Sequence, residues 1–223
     1  MRFGVKLLRI YLTEAQIAKC KEFSRECAKQ QQQIEFGQSD TKKRNIQEIF
    51  RDNMIGKIAE VAVANFLETK YDISIELDFN YYPRLFWDDE DTVINGWKID
   101  IKGTRQGGKW MLIEWNKLSF RKAEKKLPHL FFMLSVGWDR KNDNPTGFAD
   151  LEGYFPTRRL VKGNKDVSIL RKGTFLPNTH CKMQADNFGI TFDKLYKNWD
   201  ELIDAIENNP PYCLDGYIAP ENK

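Results

Sequence analysis

The order of hydrophobic patterns along the chain predicts an α/β (α+β) fold: a central mixed sheet flanked by helices. Three observations carry the prediction. Two long apolar-striped segments open the chain, β-prone runs punctuated by an Asn-Gly turn occupy its middle, and one more helical segment precedes Pro210-Pro211.

Residues 13–35 read as a helix. Thr13 and Gln16 form a capping box, and Ile17, Cys20, Phe23 and Cys27 fall on one stripe. Gly37 to Lys43 is a polar break. A second helix is expected over about Asn45 to Thr69, with Ile46, Phe50, Met54, Ile58, Val61 and Phe66 inside. Tyr71 to Leu77 alternates in the manner of a half-exposed strand, and Asn80 to Glu90, aromatic and acidic, reads as loop. Asp91-Thr92-Val93-Ile94 and Trp97 to Lys102 flank Asn95-Gly96, the strongest short hairpin signal, because a type I′ turn needs positive φ at both central residues. Trp110 to Trp115 is a further strand, Asn116 to Lys126 is basic and partly helical, and Leu130 to Val136 reads as a buried strand. Gly147 to Cys181, rich in Gly, Pro and cations, is expected to hold loops and short strands. The last helix covers about Phe192 to Glu207.

The chain has 223 residues, which favours a single domain over 1–223. Its 35 basic and 32 acidic residues leave a net charge of +3, so only a local concentration of Lys and Arg could argue for a nucleic-acid partner. Cys20, Cys27, Cys181 and Cys213 make no CxxC pair, which speaks against a structural zinc and for reduced thiols. Met1 to Val5 lacks the apolar run of a signal peptide, and no 18-residue apolar segment exists; a cytoplasmic protein with no membrane partner is expected.

The chemistry centres on Asp100 and Lys102. An acidic residue two before a Lys occurs six times, beginning at Asp40, Glu68, Asp100, Glu124, Asp139 and Glu221. The occurrence at Asp100 differs in its setting. On a strand, Asp100 and Lys102 share one face while Ile99 and Ile101 share the other. With Asn95 and Gly96 as the turn, Asp91 is expected opposite Asp100, where like charges about 4.5–5.5 Å apart (Cβ to Cβ) are unfavourable unless neutralised. A divalent cation would neutralise them, since Mg²⁺ takes one or two carboxylates and keeps several waters. Lys102 could then orient or deprotonate a water, or stabilise developing phosphorane charge. Asp88 and Asp89 are the fallback ligands if the turn is longer. The competing reading is an exposed strand face with a weak ion pair.

Glu60 is the other oddity. It sits in Ile58 to Leu67, apolar nearly all round, where a lone carboxylate is costly. Gly56 and Ala64, one turn to either side, leave room beside it for a ligand. Capture by a neighbouring Arg or Lys is the competing reading.

Gly56-Lys57-Ile58-Ala59-Glu60, then Asp91, then Asp100-Ile101-Lys102-Gly103-Thr104 resembles the PD-(D/E)xK nuclease superfamily, which includes many type II restriction endonucleases. No Pro precedes any candidate first Asp, a departure from that pattern. The resemblance implies a restriction-endonuclease-like core over about 45–136, a helical N-terminal part over 1–44 and a C-terminal elaboration over 137–223 for DNA recognition. It implies Glu60, Asp91 and Asp100 as metal-site carboxylates, Lys102 as catalytic lysine, and Mg²⁺ (with Mn²⁺ able to substitute) as cofactor. The expected activity is DNA endonuclease, acting as a homodimer on a short duplex site, because cutting both strands of a palindrome takes two active sites. The rivals are a phage or mobile-element nuclease that nicks or recognises DNA structure, and a non-catalytic DNA-binding protein. Lys117, Arg121, Lys122 and Lys125 form one candidate DNA-binding region, and Arg158 and Arg159 a second that could approach base edges. His129 and His180 are expected to be structural.

Overall fold

A computed structural model of the chain describes residues 7–33, 44–80, 91–118 and 127–214. Among these, eight strands and three α-helices run in the order β1 (Leu8–Tyr11), α1 (Glu14–Gln33), α2 (Ile46–Tyr71), β2 (Thr92–Ile94), β3 (Trp97–Arg105), β4 (Trp110–Glu114), β5 (Leu130–Asp139), β6 (Asn144–Pro156), β7 (Ser168–Leu170), β8 (Asn187–Thr191) and α3 (Trp199–Asn208). One sheet has the order β1-β6-β5-β3-β2, the other β4-β8-β7. The first sheet is mixed. β1 with β6 and β2 with β3 are antiparallel. β3 and β5 run parallel: His129 N–H donates to Lys98 O and Gln106 N–H to Val136 O, partners that advance together along both strands. The expected α+β class with a mixed sheet and flanking helices is what the chain adopts.

Contacts divide the chain into two compact units, Met1–Asp88 with Ile101–Gly108 and Met133–Glu152, and Asp89–Asp100 with Lys109–Phe132 and Gly153–Lys223. The division falls within β3, β5 and β6.

In the first unit both helices begin as their sequences direct. Thr13 and Gln16 exchange the two bonds of a capping box, and Asn45 and Glu48 form a second one at α2. Helix α2 ends where Asp72 turns left-handed at φ 58° and donates its N–H to Glu68 O. Met54, Ile58, Ala59, Ala62, Val63, Phe66 and Leu67 are almost wholly enclosed, and Cys20 and Cys27 bring α1 into the same core. Each large side chain so buried contributes roughly 1.5–3 kcal/mol. Burial also pushes both thiols up to about 11.

In the second unit the β2–β3 hairpin is closed by Asn95 (φ 46°) and Gly96 (φ 78°), the two left-handed residues that the Asn-Gly signal calls for. Asn95 does more than turn. Its side-chain amide donates to Ile206 O and Glu207 O, satisfying carbonyls at the end of α3, and Trp97 Nε1 donates to Asn209 O. The core of this unit gathers Ile99, Leu130, Phe132, Phe155, Phe188, Ile190 and Ile206.

Three expectations need correction. Residues 71–77 keep the alternation of burial but join no sheet. Alternation reports one apolar side, whereas a strand also needs a neighbour's N–H and C=O groups. Gly147 to Pro156, in a stretch expected to hold loops and short strands, is most of the 13-residue strand β6. Gly153 is no breaker there: a Cβ would meet Tyr196 O at 2.6 Å, so glycine permits the close bridge between Tyr154 and Tyr196. The last helix starts at Trp199, capped by Asn198, because Phe192–Lys194 is only a 3₁₀ turn. The sequence reading missed β1 and β8, four and five residues long, while the three-residue β7 falls where short strands were expected.

Candidate functional site

The ladder between β2 and β3 pairs Ile94 with Trp97, Val93 with Lys98 and Thr92 with Ile99, the expected register. Along β3, Trp97, Ile99 and Ile101 are buried while Lys98, Asp100 and Lys102 are half-buried. Asp100 and Lys102 therefore share the more open face, two residues apart on a strand that lies between β5 and β2 in the sheet and runs past the end of the β2 ladder. Oδ2 of Asp100 is enclosed from solvent. Asp91 lies one residue past the last ladder pair and is exposed. Its N–H donates to Ile99 O at 3.2 Å, so it is tethered at the peptide that leads into Asp100 instead of forming a further ladder pair. Asp88 and Asp89 lie outside the described residues. His129 is structural, as expected: its Nδ1 accepts the Lys98 N–H and its N–H donates to Lys98 O.

The next residues of β3 meet helix α2. A Cβ on Gly103 would lie 2.8 Å from Ile55 O and 3.2 Å from the Ala59 methyl, so this step of strand and this turn of helix pack without a side chain between them. Lys102 and Glu60 each adjoin that contact. Gly56, by contrast, has no atom within 4 Å of where a Cβ would stand.

Glu60 has a cationic partner. Lys57, three residues earlier on α2, places Nζ 2.5 Å from its Oε2 and donates also to Asp78 O. The Lys57 side chain is 7% exposed and that of Glu60 16%, and the ammonium also lies over the rings of Phe23 and Phe79. A buried ammonium demands such a set of acceptors and rings. The i, i+3 spacing of Lys57 and Glu60 is the signal that would have revealed the pair.

Two buried carboxylates escaped the sequence reading. Asp150 and Glu152 project from β6; Arg9 grips Asp150 with two bonds of 2.7 and 3.0 Å, Gln106 adds a third at 3.4 Å, and Ser135 Oγ donates to Glu152 Oε1. The acid–apolar–acid alternation of Asp150, Leu151 and Glu152 carried the signal, hidden between Gly147 and Gly153.

Of the candidate DNA-binding residues, Arg121, Lys122 and Lys125 lie outside the described residues, as does the side chain of Lys117 in the 3₁₀ turn Trp115–Leu118. Arg158 and Arg159 are exposed on the 3₁₀ turn Thr157–Arg159 that follows β6.

Among the described residues, no group of three or more His, Cys, Asp or Glu side chains is disposed to hold a metal ion, and no helix is long and apolar enough to cross a membrane. The N–H of Asp91 is bonded to the peptide that leads into Asp100, and one or two carboxylates with space for water are what Mg²⁺ takes from a protein. Comparison with protein-family models, curated proteins and solved structures gives no match.

Proposed function

We propose that the chain is a divalent-metal-dependent DNA endonuclease of the PD-(D/E)xK type. The observation that supports this reading is the setting of Asp100 and Lys102: an acidic and a basic residue on the more open face of a strand whose other face is core, with the backbone N–H of Asp91 bonded at the preceding peptide. Asp100 and Asp91 would hold Mg²⁺, with Glu60 as the third expected carboxylate. The bound cation would supply Lewis acidity and charge neutralisation at a phosphodiester.

The chain's own residues do the rest. Lys102 leaves β3 on the same face as Asp100, from which its ammonium would orient the attacking water and offset the charge that develops on the phosphoryl oxygens. Ile99 and Ile101, locked in the core, fix the spacing of the two working side chains. Cutting both strands of a short duplex site would bring two copies of the chain together, which makes a homodimeric restriction endonuclease the leading form of the proposal.

The test is plasmid digestion with Mg²⁺, with Mn²⁺ and with EDTA, alongside Asp100→Ala and Lys102→Ala. Cleavage by the wild type with a divalent cation, its loss in EDTA, and a drop of at least 10²-fold in both folded variants are expected, in line with the loss of one charge-stabilising group. Mapped ends at a fixed sequence point to a restriction enzyme. DNA binding without cleavage under every condition would point to a non-catalytic binder, and wild-type rates in both variants would remove Asp100 and Lys102 from the chemistry.

A further inference from the structure

We infer that the loop from Thr157 to Lys165 is a phosphate-binding shelf that grips the backbone of nucleic acid instead of reading base edges. The inference rests on the endonuclease reading for the identity of the polyanion, and on the loop alone for the site.

Arg158, Arg159, Lys162 and Lys165, all exposed, line one open hollow of about 790 Å³ together with Gly163 and Asn164. Four other arginines are answered by acids: Arg9 by Asp150, Arg44 by Asp52, Arg51 by Asp143 and Arg171 by Asp186. Among the described residues, none of these four cations has a carboxylate partner. Two rest instead on aromatic faces, Arg158 over Tyr212 at 4.8 Å and Arg159 over Tyr196 at 5.6 Å. A ring holds a guanidinium in place without neutralising it, and leaves its N–H fork available to an anion.

The loop is also fixed in shape. Leu160 N–H donates to Thr157 O, Asn164 N–H to Val161 O and Val167 N–H to Asn164 O. The Asn164 side chain ties the loop together by donating to Arg159 O and accepting from Asp166 N–H. Leu160, fully buried, anchors it. Gly163, at φ 90°, has no atom within 4 Å of where a Cβ would stand, so backbone at the rim is open to close approach. Four like charges held together in a rigid concave loop repel one another, and a polyanion relieves that repulsion wherever its phosphates fall. Two arginines committed to ring faces and two lysines on a rim suit a charged backbone, which carries no sequence information, better than the edge of one base.

The test measures binding of two unrelated fluorescein-labelled 24-base-pair duplexes in EDTA, from low to high salt, by fluorescence anisotropy. Wild type is compared with Lys162→Gln/Lys165→Gln, which touches no core residue, and with that double variant carrying Arg158→Gln and Arg159→Gln in addition. The expected result is a weaker salt dependence, with the log–log slope lower by roughly one to two for the lysine pair and three to four for the quadruple variant, equally on both duplexes. An unchanged slope in the lysine pair, with wild type binding normally, would overturn the shelf and leave the endonuclease reading standing. A loss confined to one duplex would overturn it in favour of base reading. No binding by the wild type would sink both.

Discussion

At the scale of single residues, the placement of Glu60 decides what kind of role it can play. Its carboxylate is bonded to Lys57 Nζ, and Lys57 is the more deeply buried of the two. Removing the charge on Glu60 therefore leaves the Lys57 ammonium without its counter-charge, a loss of up to about 1.5–3 kcal/mol, the worth of a hydrogen bond to a charged group. A purely structural Glu60 would show only this loss of stability. A Glu60 that also serves the metal would show a second effect, a rise in the Mg²⁺ concentration needed for half-maximal cleavage. We predict that Glu60→Gln lowers the melting temperature and raises that Mg²⁺ midpoint. Differential scanning fluorimetry and a Mg²⁺ titration of cleavage check the two parts separately, and an unmoved midpoint would confine Glu60 to its pairing with Lys57.

At the scale of elements, the contact of α2 with β3 places Lys102, and two glycines on opposite sides of it make opposite predictions. Gly103→Ala drives a methyl group to within 2.8 Å of Ile55 O, so strand and helix must separate. The expected cost is about 1–3 kcal/mol, with a loss of cleavage beyond what stability alone explains, since the neighbouring Lys102 moves with its strand. Gly56→Ala meets nothing and removes backbone freedom from the middle of a helix, so it should stabilise by roughly 0.5–1 kcal/mol. Urea denaturation of both variants decides the matter, and equal effects would contradict the described packing. The hairpin beside this contact was legible for a physical reason: Asn95-Gly96 has few conformations open to it, and the one it takes sets the register of everything after it. The segment 71–77 was not legible in the same way, because its alternation is local while its lack of a strand partner is a property of the whole sheet. Strand β6 was misread for the converse reason. Gly153 is needed where Tyr196 crosses close by, an encounter between residues far apart in sequence.

At the scale of the molecule, the sequence was sufficient for the class of fold and for the face of β3 that carries Asp100 and Lys102. Both follow from periodicities of two and 3.6, which need no knowledge of long-range contacts. It was insufficient for the partners of the buried charges. Arg9, Asp150, Ser135 and Glu152 acquire their surroundings only when strands distant in the chain come together, and nothing in their local patterns names the group each will meet. The same holds for the basic loop after β6, where the arginines are ordinary in sequence and become unusual only by lying on Tyr212 and Tyr196.

The central claim is that Asp100 and Lys102 work together on a divalent cation's phosphodiester substrate. Single-turnover cleavage of supercoiled plasmid across a Mg²⁺ titration, by wild type and by Lys102→Ala of equal melting temperature, tests it most directly. The account predicts Mg²⁺-dependent nicked or linear product from the wild type, and from Lys102→Ala a plateau rate lower by at least 10²-fold at saturating Mg²⁺. Intact plasmid with wild-type protein at every Mg²⁺ concentration, or matching plateau rates for the two proteins, would contradict it.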